Sequence, residues 1–202
     1  GIGDDNESSD ATITIDITPV NDIPVINAVS NPTAILEDAG SQTINLTGIG
    51  DGDADVTQAI TSVTASSSNP SLIPNPVNVS YTPSAATGSL TYTPISNVNG
   101  SAVITVTVTD DGGTANSGVN STTTTFTVAV TAVNDEPVAD VQGVTAIEDV
   151  EKSITLTGSD GDPELTQTLT YILTALPSTG TLSESSSGSV INSVPYPLSD
   201  AT

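Results

Sequence analysis

Four stretches of the chain alternate, residue by residue, between apolar side chains and hydroxyl or acidic ones. "ATITIDITPV" sets Ile13, Ile15 and Ile17 against Thr12, Thr14, Asp16 and Thr18, and "SAVITVTVTD" sets Ile104, Val106 and Val108 against Thr105, Thr107 and Thr109. "TFTVAVTAV" repeats the pattern with Phe126, Val128 and Val130, and "TLTYILTAL" with Leu169, Tyr171 and Leu173. A period of two puts successive side chains on opposite faces of a half-buried strand. β-branched Thr, Val and Ile fit that surface and resist helix, and no stretch carries an i, i+3, i+4 apolar stripe. The pattern predicts an all-β chain. Asp51-Gly52, Asn99-Gly100, Asp111-Gly112 and Asp160-Gly161 supply tight turns between strands, and many short strands with regular turns indicate a sandwich or barrel. With 4 Tyr, 1 Phe and no Trp, the core has to be built from Val, Ile, Leu and Ala.

The domain layout comes from internal repetition. "TPVNDIPVIN" at 18 to 27 returns as "TAVNDEPVAD" at 131 to 140, so Asn21 and Asn134 stand 113 positions apart, the size of one Ig-like sandwich. "ILEDAGSQTINLTGIGDGDAD" at 35 to 55 returns as "AIEDVEKSITLTGSDGDPE" at 146 to 164. That alignment matches Glu37-Asp38 with Glu148-Asp149 and Asp51-Gly52-Asp53 with Asp160-Gly161-Asp162. The strand grammar before each linker also matches, which makes residues 1–20 the last strands of an upstream sandwich. Residues 21–133 form one complete sandwich and 134–202 the first part of the next. The chain is expected to be a segment of a longer polypeptide, with any export signal and anchor elsewhere.

Charge removes most partners. There are 24 Asp and Glu against one cationic side chain, Lys152, and the formal net charge is -23. Nucleic-acid binders neutralise phosphates with Lys and Arg, and anionic membrane surfaces attract polybasic segments, so neither partner is expected. No run approaches the roughly 20 apolar residues of a membrane helix, which argues against insertion of this segment. With no Cys and no His there is no disulfide frame and no tetrahedral zinc site. A Ser-His triad and a thiolate nucleophile are missing for the same reason, with no Arg there is no phosphate clamp, and no aromatic platform accompanies the carboxylates for glycoside chemistry. The expectation is a non-enzyme whose crowded carboxylates repel one another unless counterions or bound cations offset them, with divalent metal the natural candidate.

The Val-Asn-Asp-x-Pro linker, the stretch "LTYTPISNVNGSAVITVTVTDDGG" and the Glu-Asp and Asp-Gly-Asp pairs resemble the cadherin-like tandem repeats of giant bacterial cell-surface adhesins. The resemblance spans the whole chain; the partial second domain departs from it after "LPSTGTLSESSSG", where no "TYTP" counterpart follows. It implies tandem Ig-like, cadherin-like Greek-key β-sandwich domains in a linear rod, with calcium at the linkers and at the loops of facing domain ends.

The residues reach calcium by their own route. With strand B at "QTINLTGI", Asp51, Asp53 and Asp55 fall in the B–C loop, and "TDDGG" places Asp110 and Asp111 in the F–G loop. Both loops lie at the end of the sandwich that meets Asn21 and Asp22. Glu37 and Asp38 precede strand B at the opposite end, toward Asn134, Asp135, Asp160, Asp162 and Glu164, with Asn97 and Asn99 of the E–F loop able to join them. Ca²⁺ takes six to eight oxygens from such groups. An EF-hand does not fit, because counting from Asp51 its sixth position is Val56 and its twelfth Ser62. The bland alternatives are that Asp-Gly-Asp is a solvated turn and that Glu37-Asp38 is a polar edge discouraging sheet pairing.

Three function classes follow. The first is a spacer in a long secreted adhesin, extracellular and bacterial, with neighbouring repeats of the same chain as its partners. The second is a structural filament or sheath in which like chains associate, and the third a repeat that itself binds a glycan or another cell. Asn-x-Ser/Thr sequons at Asn6, Asn45, Asn78, Asn99 and Asn120 admit covalent glycans on a Thr/Ser-rich surface, while Pro70 disqualifies Asn69.

Overall fold

The computed structural model describes residues 11–199; the stretch 1–10 of the upstream tail, with its sequon at Asn6, and residues 200–202 lie outside the described residues. Seven strands follow the linker: β1 (Ile35–Leu36), β2 (Gln42–Thr47), β3 (Ile60–Ser67), β4 (Asn78–Tyr81), β5 (Thr87–Tyr92), β6 (Gly100–Asp110) and β7 (Ser121–Thr131). They form two sheets, one ordered β1-β7-β6-β3 and the other β2-β5-β4. β2 joins β5 rather than β3, and β3 joins β6, so the chain crosses between the sheets in the Greek-key manner of Ig-like sandwiches. All pairs are antiparallel except β1 with β7, which is parallel.

The alternation read from the sequence sets which face is dry. In the β6–β7 register Ile104 stands opposite Phe126 on the inner face, while Thr105 opposes Thr125 and Thr107 opposes Thr123 on the outer one. Val106 and Val108 of β6 and Leu46 and Leu90 of the other sheet are fully buried, and the core they share is aliphatic apart from Phe126 and Tyr92. Burying each such aliphatic side chain contributes about 1.5–3 kcal/mol.

The linker is stitched to the sandwich just after β2. Val25 and Gly50 exchange backbone hydrogen bonds of 2.8 and 3.1 Å, and the Asn27 amide donates to the Thr47 carbonyl at 3.0 Å. The arrangement recurs one repeat later. β8 (Val138–Ala139) pairs antiparallel with β9 (Gly158–Ser159), Val138 opposite Ser159, and the Asp140 amide donates to the Thr157 carbonyl at 3.0 Å. Two further short pairs, β10 (Ile172–Leu173) with β13 (Tyr196–Pro197) and β11 (Leu182–Ser183) with β12 (Val190–Ile191), complete the described strands.

Two strand expectations are only partly met. In "TLTYILTAL" only Ile172–Leu173 pairs, although Leu169, Tyr171 and Leu173 are half-buried and their neighbours exposed, as a period of two requires. "ATITIDITPV" has no partner among the described residues, and Ile13, Ile15 and Ile17 are 82%, 79% and 87% exposed. Alternation specifies the faces of a strand, but a neighbouring backbone has to accept its hydrogen bonds before the strand exists.

Candidate metal-binding junctions

At the linker end of the seven-stranded sandwich, the β2–β3 and β6–β7 loops meet Asn21. The Asn21 carboxamide donates to Asp110 Oδ1 at 3.2 Å, to the Gly113 carbonyl at 3.0 Å and to the Val119 carbonyl at 2.8 Å, and the Val119 amide donates back to the Asn21 carbonyl. Asp111 Oδ1 accepts from the Ala59 amide at 2.8 Å, closing one loop on the other. Asp51 accepts from the Gln58 amide at 2.8 Å, and Asp53 Oδ1 from the amides of Asp55 and Val56, both at 3.0 Å. The neighbouring Asp55 side chain and then the Val56 amide hold Asp53 down at about 2, while the Asp53 carboxylate beside it pushes Asp55 up. Asp22 itself is exposed. Asn21, Asp22, Asp51, Asp53, Asp55, Asp110 and Asp111 are thus brought to one end of the unit.

Gly52 positions this loop. At φ +75° it is left-handed, and a Cβ there would lie 2.1 Å from the Ile23 carbonyl oxygen, so the loop backbone packs directly on the linker. Gly161 repeats it at φ +80° and 2.2 Å from the Glu136 carbonyl oxygen. In both repeats the carbonyl belongs to the x of Val-Asn-Asp-x-Pro.

At the opposite end Glu37 is completely buried. Its amide donates to the Thr131 carbonyl at 3.1 Å, and its Oε1 accepts from the Val133 amide at 2.6 Å. The other oxygen, Oε2, is buried with no donor, as are Asp135 Oδ2 and Glu164 Oε2. Desolvation and then the charges of Asp38, Asp162 and Glu37 push Asp135 up, while desolvation and the Glu37 charge do the same to Glu164. Asp162 is held down, chiefly by the Leu165 amide, which donates to its Oδ1 at 2.9 Å. Asp160 accepts from the Gln167 amide at 2.6 Å, and the Gln167 side chain reaches Asn134 and Asp162. Glu37, Asp38, Asn134, Asp135, Asp160, Asp162 and Glu164 therefore surround the second linker, whereas Asn97 and Asn99 make no side-chain hydrogen bond among the described residues. Asn134 is exposed where Asn21 is buried, because no described residue covers Asn134 as the β6–β7 loop covers Asn21.

Among the described residues no three acidic side chains converge as a ready-made metal cage. What the ends hold instead is a set of buried acceptors without donors: Asn21 Oδ1, Gln58 Oε1 and Asp110 Oδ2 at one, Glu37 Oε2, Asp135 Oδ2 and Glu164 Oε2 at the other. Buried polar groups are ordinarily hydrogen-bonded, and leaving an acceptor bare costs about 1–3 kcal/mol. Glu184 provides the contrast. It is also buried, but Oε1 accepts from the Ser199 amide at 2.5 Å and hydroxyl at 2.6 Å, and Oε2 from Tyr196 and Ser187. Those donors, the Ser199 hydroxyl first, hold it below the usual carboxylate range. A carboxylate so satisfied needs no ion. The bare oxygens are hard ligands of the kind calcium takes, and a cation would satisfy several at once. Gln58 and Gln167 were the side chains that charge-based reading passed over; the signal that finds them is the shared octapeptide frame of "DGDADVTQ" and "DGDPELTQ".

No family model matches the chain, and no curated protein matches it. Among solved structures it is similar to the crystal structure of titin domains Z1Z2 in complex with telethonin, with 17% identity and a TM-score of 0.36. The match covers 57% of this chain and 51% of that chain, so this chain spans about half the length of that structure.

Proposed function

We propose that the chain is a set of non-catalytic spacer repeats from a long bacterial cell-surface adhesin, in which calcium clamps each Ig-like sandwich to the next. The observation that carries this reading is the pairing of donor-free buried oxygens with the linkers at both ends of the complete sandwich, in a chain whose one cationic side chain is Lys152. Asn-Asp before Pro places two ligands on a connector whose φ freedom the ring already limits, and the ion removes what remains. Glu37 would supply the upstream unit's oxygen, Asp135 the linker's and Asp162 and Glu164 the downstream loop's, so one ion ties three segments. The repeats are extracellular, their partners are neighbouring repeats, and the sequons at the exposed Asn45, Asn78 and Asn99 admit glycans. The test is thermal unfolding of the chain in calcium and in excess chelator. Extracellular modules bind calcium at roughly 0.1–1 mM, and ligand at a hundredfold excess over its dissociation constant adds about 2.7 kcal/mol per site; an unchanged melting temperature would make the acidic loops solvated turns.

A specific observation favours a second reading, the extracellular filament. The exposed Ile13, Ile15 and Ile17 form one face of a segment with no strand partner among the described residues, and such a segment can complete a sheet in another copy. Sedimentation distinguishes the two, since the filament requires concentration-dependent association and the spacer a monomer.

A further inference from the structure

The edges of the sheet β1-β7-β6-β3 lack the usual protection. An edge strand exposes amides and carbonyls that a second chain can join, and charged side chains commonly keep such a chain away. Between Asp55 and Asp110, and again between Asp111 and Asp135, there is no Asp, Glu, Lys or Arg, so β3 and β7, on either side of β6, carry no charge. β7 reads "STTTTFTVAVT", 11 residues of Ser, Thr, Val, Ala and Phe with no Pro or Gly, the composition of a segment that adds readily to sheets. β1 covers only Val130 and Thr131 of it. In the tandem array proposed above, a short linker holds the neighbouring sandwich at an effective concentration of the order of a millimolar, and misassembly between neighbours is a characteristic failure of repeat proteins.

Two asparagine side chains close these edges. Asn31 lies between the linker and β1, and its Oδ1 accepts from the Thr127 amide at 2.7 Å, just ahead of the residues that β1 covers. At the other edge Asn75 lies before β4; its Oδ1 accepts from the Ser67 amide at 2.7 Å and its Nδ2 donates to the Ser67 carbonyl at 2.9 Å. Those are the two bonds that a neighbouring antiparallel strand would exchange with Ser67, supplied by one carboxamide. Two residues on, the Val77 amide donates to the Ala65 carbonyl at 3.3 Å, which carries the cover along β3. What stays uncovered among the described residues is 121–126 of β7 and 60–64 of β3, and short edges are poor templates.

Both asparagines precede a proline, Asn31-Pro32 and Asn75-Pro76. Proline has no N–H, so at that residue the covering segment offers no amide to a further strand. The side chain makes the link, and the ladder stops there. Asn69-Pro70 shows that the dipeptide alone is not enough: the Asn69 carbonyl accepts from the Leu72 and Ile73 amides at 3.1 and 2.9 Å in the turn after β3. We propose that Asn31 and Asn75 are edge-closing residues, which keep the sandwich from pairing edge to edge with another copy of itself. The inference goes beyond the calcium reading and does not depend on it. It concerns the sheet edges of the sandwich, not the segment around Ile13, Ile15 and Ile17.

Sedimentation velocity of the full chain over a concentration series, at a temperature where circular dichroism shows each variant folded, tests this with Asn31→Ala, Asn75→Ala and the two combined. Each single variant is expected to form dimers at concentrations where the parent forms none, because one open edge pairs once. The double variant, with two open edges, is expected to form longer species. Asn31→Asp keeps the acceptor for Thr127 and adds a charge to the edge, and is expected to sediment as the parent does. Amide exchange reads the link itself: Thr127 is expected to exchange about tenfold faster in Asn31→Ala and at the parent's rate in Asn31→Asp. Single and double variants that are folded and sediment as the parent does at every concentration overturn the proposal and leave the calcium-clamped spacer standing. Equal exchange of Thr127 in the parent and in Asn31→Ala overturns it as well.

Discussion

Replacing Glu37 by Gln separates a metal ligand from a merely structural acceptor, because the two roles predict opposite signs in chelator. Glu37 is completely buried, with one oxygen on the Val133 amide at 2.6 Å and the other without a donor beside Asp135 and Glu164. Gln keeps the shape and the acceptor for Val133, removes the buried charge and offers an amide donor to the neighbouring carboxylates. Relieving a donor-free buried group is worth about 1–3 kcal/mol, and about 4 °C accompanies each kcal/mol for a unit of this size. Glu37→Gln should therefore melt about 4–12 °C above the parent in chelator. In calcium the parent gains about 2.7 kcal/mol per site at a hundredfold excess, whereas the variant has lost a charged ligand and gains less. Melting curves followed by circular dichroism across a calcium series should cross. A variant less stable than the parent by the same margin in chelator and in calcium would refute the reasoning, leaving Glu37 as the acceptor of the Val133 amide alone.

Gly52→Ala forces a Cβ to 2.1 Å from the Ile23 carbonyl at φ +75° and should cost about 1–3 kcal/mol in urea unfolding; a neutral result would show that the loop does not rest on the linker. Leu46→Ala in the fully buried core should cost about 2–5 kcal/mol, measured the same way. Desolvation and neighbouring charge raise Asp135 and Glu164, so the folded chain takes up protons there at higher pH than the unfolded one. Their contribution to metal-free stability is present at low pH and fades as pH rises through the raised values, and calcium has to displace those protons. Calcium should accordingly bind more weakly at pH 5 than at pH 7 by calorimetry, and equal affinity would contradict the assignment. Glu184 has the opposite sign: its lowered value gives stability present above the ordinary carboxylate range and lost as pH falls through the folded value. Glu184→Gln should flatten that acid-side loss in amide exchange of residues 182–199.

The fold was legible wherever a strand's faces and its partner lie in the same unit. "SAVITVTVTD" and "TFTVAVTAV" read as strands, and they pair over ten positions from Gly100–Val130 to Thr109–Ser121. "ATITIDITPV" carries the same pattern without a partner among the described residues, because periodicity encodes a face and not a neighbour. The two acidic ends were also legible, since placing one strand at "QTINLTGI" fixes which loops point toward which linker. Carboxylate counting did not reveal how the oxygens are used. Asp51, Asp53 and Asp162 are largely occupied by loop amides, whereas the donor-free oxygens include the neutral carboxamides of Asn21 and Gln58. A formal charge marks where ligands gather, but the committed donors of each amide decide which oxygen remains, and those depend on three-dimensional partners such as the Gly113 and Val119 carbonyls.

The central claim, that calcium joins successive sandwiches into a rod, is tested most directly by small-angle X-ray scattering from the full chain in calcium and in excess chelator. The account predicts a larger maximum dimension and a narrower distance distribution in calcium, with the change reduced in Glu37→Gln. Superimposable curves in the two conditions, from a chain that is folded in both, would contradict it.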